Sequence, residues 1–363
     1  MNEKRHRVLM ISVNDTQSPR TGGEYVYKVI KDELLRRNYT LHEISVPIIL
    51  KCLLKRKSST QKEKIYRILL HLECIIYSFF KRYSNCGIII TSAHPAFPVF
   101  GHLVYHQPKS GIKVEVIKRY IEPYWRIGWI IVEKGKLSPL WYLASRSHVL
   151  HLSNSYFTKR LVKELYGIDS FVLYPPVNVQ PLLRADLDER RKHGIIVAKP
   201  EVLSGITLLP KIAQRLPKNI PFMIIGRADE EGLRIIHHLR KSGFNINYLG
   251  YVSEQEKVKI FHTYSHYLHL GFNETFGITV VEAMASGCIP IAPKSGGIPE
   301  YLPEKLLFTT PAEAAEKILD KIGIDDIKLK INLRDVAIKF DEKRFRHNFM
   351  RYFKALENFL TKR

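Results

Sequence analysis

At 363 residues, with 45% hydrophobic and 25% charged residues, the sequence is too long for one ordinary core and too apolar for a disordered chain. Its four scattered cysteines (Cys52, Cys74, Cys86, Cys288) include no CxxC pair, which argues against a disulfide framework or a zinc site and fits a reducing cytosol. The net charge of +22 asks for a polyanionic partner: nucleic acid, anionic lipid headgroups or a phosphorylated substrate.

The opening MNEKRHRVLMISVN is charged, and its apolar run is too short for a secretory signal. The longest apolar stretch elsewhere, 68–80, is interrupted by His71 and Glu73. It falls short of the roughly 20 residues that span a bilayer, so any membrane contact is expected to be peripheral.

Residues 8–13 (VLMISV) predict a buried strand. A polar, turn-rich loop follows, NDTQSPRTGGE, and then a helix in YVYKVIKDELLRR. Strand, glycine loop and helix open an α/β nucleotide-type domain. Further strands are expected at 41–47, 87–93, 102–106, 148–153 and 170–176, with mostly helical patterns between them. The alternation pauses in the polar stretch 178–193 and restarts with strands at 193–199, 221–227, 246–252, 266–271 and 288–293. Regular alternation predicts parallel sheets covered by helices. We expect an α/β protein of two tandem doubly wound, Rossmann-like domains, 1–180 and 190–335. The amphipathic helix at 340–360 is expected to pack back on the first domain.

The informative stretch is 273–282, NETFGITVVE. Glu274 falls in the loop after a strand, and Glu282 about one and a half turns into a helix that begins near Gly277. A helix N-terminus offers free backbone N–H groups and partial positive charge to an anion. A diphosphate there leaves Glu282 placed for a ribose diol and Glu274 for the hydroxyls of a sugar. Taken alone, a pair of glutamates at this spacing is far more often two solvent-facing charges that suit the helix dipole.

The whole run NETFGITVVEAMASGCIPIAPKSGGIPEYL resembles the signature of glycosyltransferase family 4 (glycosyl transferases group 1), of the GT-B fold. Within that family it looks most similar to the eukaryotic asparagine-linked glycosylation mannosyltransferases of the ALG-eleven type and their archaeal relatives. NSYFTKRLVKELYG (154–167), LYPPVNVQ (173–180) and VYHQP (104–108) support the likeness.

The resemblance implies a retaining hexosyltransferase that uses a GDP- or UDP-sugar, with mannose the favoured sugar, and needs no metal. It places the donor ribose at Glu282, the transferred sugar at Glu274, and the diphosphate at the amides of Phe276, Gly277 and Ile278. The family's phosphate-facing Arg becomes Lys199 here, and its Lys falls near Ser204, with Arg227 or Lys294 as compensators. Thr21, Gly22 and Gly23 resemble the glycine loop of the first domain. His106 resembles a histidine beside the donor sugar, with His94 as its rival.

Residues 49–83 hold nine Lys/Arg against Glu63 and Glu73, interleaved with apolar residues at helical spacing. Such a basic amphipathic segment either lies on an anionic membrane or forms an ordinary domain helix with a solvated face. The first reading implies a lipid-linked acceptor and a cytoplasmic protein held on the inner face of a membrane. Competing readings are a GT-B enzyme acting on a soluble sugar, a nucleotide-sugar epimerase and an inactive partner subunit. A nucleic-acid-binding protein is disfavoured, because no recognition motif accompanies the charge.

Overall fold

In the computed structural model, residues 7–12, 22–45, 78, 87–92, 101–106, 146–187, 192–322 and 326–362 are described. The segment 49–83 (Ser78 apart), Thr21 and His94 lie outside them.

The chain divides into two units. The first opens with β1 (Arg7–Ser12), α1 (Gly22–Arg36), β2 (Thr40–Ser45), β3 (Ile88–Ser92), β4 (Leu103–His106), β5 (Leu150–Ser153), α2 (Tyr156–Tyr166) and β6 (Phe171–Val172). Its parallel sheet has the order β2-β1-β3-β4-β5-β6. Alternate residues of β1 face opposite ways. Val8 and Met10 join the large core, whereas Leu9 and Ile11 meet Ile89 on the other face. Apolar residues on both faces are what a central parallel strand requires. β6 is shorter than the 170–176 expected, because Pro175 and Pro176 cannot donate to a ladder. Ser155 caps α2 by accepting from the Thr158 amide, and Gly167 ends it in the left-handed conformation.

The second unit runs β7 (Lys192–Ala198), α3 (Leu209–Ala213), β8 (Phe222–Ile225), α4 (Glu230–Lys241), β9 (Ile246–Gly250), α5 (Glu254–Thr263), β10 (Tyr264–Leu268), α6 (Ile278–Ser286), β11 (Ile289–Pro293), β12 (Leu307–Phe308), α7 (Pro311–Leu319) and α8 (Ile327–Ile338). Its parallel sheet has the order β9-β8-β7-β10-β11-β12. Counted within the unit this is 3-2-1-4-5-6, the dinucleotide-binding arrangement, and the order reverses between β7 and β10. β12, two residues long, carries no periodic signal that the sequence reading could use.

The last helix, α9 (Glu342–Thr361), returns to the first unit. Phe345, Phe349, Met350, Phe353 and Leu356 form one stripe in the core shared with Val26, Tyr27 and Ile30 of α1. Arg346 of α9, with Arg36 and Arg37, surrounds the buried Glu33. The two units part at Pro176–Val177 and again at Arg344–Phe345, where the sequence reading placed its limits at 180 and 340.

Phe349 is fully buried, with its ring stacked between Phe345 and Phe353. Phe349→Ala is expected to cost about 3–5 kcal/mol in the urea transition that unfolds the first unit. A loss under about 1 kcal/mol would mean that α9 is not part of that core.

Candidate functional site

Ligands of open α/β sheets bind beyond the carboxyl ends of the strands, where the strand order reverses. In the second unit that place is marked by the residues after β7 and β10. Lys199 directly follows β7, is exposed, and takes a positive φ of 54°. Its amide is held by the Ile225 carbonyl, and its own carbonyl accepts from Glu201. Past the turn at 202–204, Gly205 has a φ of 84°, and a Cβ there would stand 2.2 Å from the Leu270 carbonyl oxygen. Only glycine lets these two strand ends approach so closely.

After β10 the chain makes a tight reversal into α6. Asn273 adopts the left-handed conformation (φ 55°), and its amide donates to Ser295 Oγ at 2.9 Å. The Glu274 carbonyl accepts from the Gly297 amide at 2.8 Å. Gly296 packs against the same carbonyl, and a Cβ on it would stand 2.1 Å from that oxygen. The Gly-Gly pair after β11 is thus a brace for the loop that carries Glu274. Tyr301 donates its hydroxyl to the Phe276 carbonyl at 2.6 Å, and the Phe276 ring lies between Tyr301 and Phe340.

Gly277 (φ 86°) is the N-cap of α6 and supplies no side-chain cap. By contrast, Asp229 caps α4, Ser253 caps α5, Thr310 caps α7 and Asp326 caps α8. The first amides of α6 are left for an external acceptor, at the positive end of the helix dipole. Glu282 lies one turn further, at the fifth helical position, and is 8% exposed.

Glu282 has a partner that sequence reasoning missed. Lys257 of α5 reaches it at 2.7 Å and also meets Glu254 at 2.9 Å. Burial pulls the Lys257 pKa down, but the Glu282 and Glu254 carboxylates outweigh it, and the ammonium is held above its ordinary value. The ion pair occupies Oε1 of Glu282. Nothing in the local spacing reveals this contact, because only the β9-β8-β7-β10 order brings α5 beside α6. Tyr267 of β10 is the other residue missed. Its pKa is driven up by burial first, then by Glu282 and Glu274, which places its hydroxyl within the field of both carboxylates.

The remaining sequence-predicted residues fall as follows. Arg227 is exposed in the loop after β8, beside Gly226. Lys294, after β11, pairs with Glu304 at 2.6 Å on an exposed surface. Ser204 sits in the turn after β7 and contributes no charge. Gly22 and Gly23 form the first turn of α1, not the loop before it, a correction that follows from where the helix begins. His106 ends β4 in the first unit, 3% exposed, with Nε2 3.0 Å from Nδ1 of His151. Burial, then His151 and His148, hold its pKa well below the ordinary value, so its imidazole is neutral. The second unit thus brings together Lys199, Glu274, Phe276, Gly277, Ile278 and Glu282, while Gly22, Gly23 and His106 belong to the first.

Gly296→Ala forces a methyl group against the Glu274 carbonyl at a φ of 72°. We expect it to lower stability by about 2 kcal/mol in urea denaturation. An effect within about 0.5 kcal/mol would show that the brace is dispensable.

Residues 189–339 match the family model described as Glycosyl transferases group 1. The chain is 27% identical over 223 residues to the GDP-Man:Man(3)GlcNAc(2)-PP-Dol alpha-1,2-mannosyltransferase of Dictyostelium discoideum, covering 54% of this chain and 44% of that protein. It is 34% identical over 126 residues to the phosphatidyl-myo-inositol mannosyltransferase of Mycolicibacterium smegmatis, covering 33% and 28%. The chain therefore spans less than half the length of either curated relative. Among solved structures, Anabaena HepE in complex with UDP and glucose superimposes with a TM-score of 0.62 at 14% identity, covering 96% of this chain and 99% of that one. The match to the glycosyl transferases group 1 model thus falls on the second unit, and the chain as a whole shares the two-domain α/β fold of that solved structure.

Proposed function

We propose that the protein transfers a hexose from a nucleoside-diphosphate sugar to a lipid-linked or membrane-proximal glycan acceptor. The observation that carries this reading is the uncapped N-terminus of α6 at the switch point, with Glu274 before it and Glu282 one turn inside it. The diphosphate takes the amides of Gly277 and Ile278, Glu282 takes the ribose hydroxyls, and Glu274 takes hydroxyls of the sugar. Lys199 adds positive charge where the leaving diphosphate develops negative charge, which is the kind of stabilisation that lowers such a barrier most.

In this reading His106 and the Gly22–Gly23 turn are the first unit's own candidate binding residues. Transfer is retaining and needs no metal: the leaving phosphate takes the acceptor's proton, and the protein contributes positioning and charge. The relatives' names favour mannose, and the PP-Dol and phosphatidyl-inositol in those names favour a lipid-linked acceptor. Among the described residues no helix is long and apolar enough to cross a membrane. The basic segment 49–83 is then the natural contact with an anionic leaflet on the cytoplasmic side.

Thermal unfolding in the presence of GDP, UDP, GDP-mannose, UDP-glucose and UDP-N-acetylglucosamine tests the donor reading. A ligand at a hundredfold excess over its dissociation constant adds about 2.7 kcal/mol, and a shift with one base and not the other names the nucleotide. Glu282→Ala is expected to weaken nucleotide binding about tenfold or more, and Glu274→Ala mainly to lower turnover. Full activity in both variants would place the site elsewhere. For the acceptor, the protein is expected to sediment with phosphatidylserine vesicles at low salt and to be released as salt rises. Failure to sediment at low salt contradicts the membrane reading.

A further inference from the structure

His269, the residue after β10, holds an unexplained polar atom. Its Nδ1 lies 3.2 Å from the Tyr267 hydroxyl, and the Thr279 hydroxyl hydrogen-bonds the same phenol. Read in that order, Thr279 donates to the phenol oxygen, the phenol donates to Nδ1, and the ring proton stands on Nε2. That Nε2 is buried and meets no acceptor in good hydrogen-bond geometry, although the Gly271 carbonyl is close enough to raise the ring's pKa. Burial chiefly holds the His269 pKa at about 4, with Glu274 raising it and Lys199 lowering it. The ring is therefore neutral at physiological pH, with both charged site residues in electrostatic reach.

A buried donor left without an acceptor costs about 1–3 kcal/mol, so its persistence needs a cause. The place supplies one. The nitrogen stands at the carboxyl end of a switch-point strand, against a residue with no side chain. A Cβ on Gly271 would lie 3.2 Å from Nε2, so the glycine leaves that side of the ring free of a side chain. We propose that His269 is a donor-binding residue whose neutral Nε2–H meets an acceptor oxygen of the nucleotide-sugar beyond its nucleoside, on a phosphate or on the sugar. The inference rests on the donor-site reading above and adds to it a neutral contact between Lys199 and Glu274.

Calorimetric titration of the full chain with a nucleoside monophosphate, the diphosphate and the diphosphate-sugar of the preferred base tests it. His269→Leu is expected to bind the monophosphate like wild type. It should lose about tenfold on the diphosphate if a phosphate oxygen is the acceptor, or only on the nucleotide-sugar if a sugar hydroxyl is. His269→Gln, which keeps an N–H donor at that reach, should recover most of the loss. Gly271→Ala, which leaves the ring intact and covers Nε2, should follow the Leu pattern, and it keeps the test valid should the Leu variant fold poorly. Wild-type affinity for all three ligands in both His269→Leu and Gly271→Ala, or an equal loss already on the monophosphate, overturns the proposal. If the wild type itself binds none of the three, the donor-site reading fails first, a result visible before any variant is made.

Discussion

The reversal between β10 and α6 is the constraint on which the candidate site depends. The Glu274 carbonyl is held by the Gly297 amide, Asn273 is held by Ser295, and Tyr301 holds the Phe276 carbonyl. These bonds fix a loop that would otherwise have to satisfy its polar backbone with water. The outcome is a helix whose first amides point out of the strand end with no cap of their own. Preorganised donors of this kind need not reorganise when an anion arrives.

Around that helix start the charges are arranged in two tiers. Lys199 is exposed where β7 ends, and the Lys257–Glu282 ion pair is largely buried beside α6. A buried pair is weak evidence for stability, since desolvation of both groups offsets their attraction. Its persistence here is better explained by orientation: Lys257 fixes one carboxylate oxygen of Glu282, and in the proposed donor site the other faces the ribose. Tyr267 lies in the field of Glu282 and Glu274, and with His269 it joins the strand end to the helix start.

Much of the fold was legible because parallel strands buried on both faces read as short apolar runs, such as IIV in β7 and FMII in β8. The placement of Glu274 and Glu282 was legible too, since a helix of 3.6 residues per turn fixes their relation once Gly277 is taken as its start. What stayed hidden was set by long-range packing. Lys257 meets Glu282 only through sheet order, and His269 gains its surroundings from Tyr267, Gly271 and the β7 loop. The exposed ion pair of Lys294 with Glu304 was not legible either, since the two lie ten residues apart across a loop. Gly22 and Gly23 read as a loop because two glycines are poor helix formers, yet they open α1.

The most direct test of the central claim is a structure of the protein with a bound nucleoside diphosphate. The account predicts phosphate oxygens within hydrogen-bond reach of the Gly277 and Ile278 amides, with the ribose hydroxyls on Glu282 and Lys257 still paired to it. A nucleotide seated away from the start of α6, or one whose ribose does not touch Glu282, would contradict it.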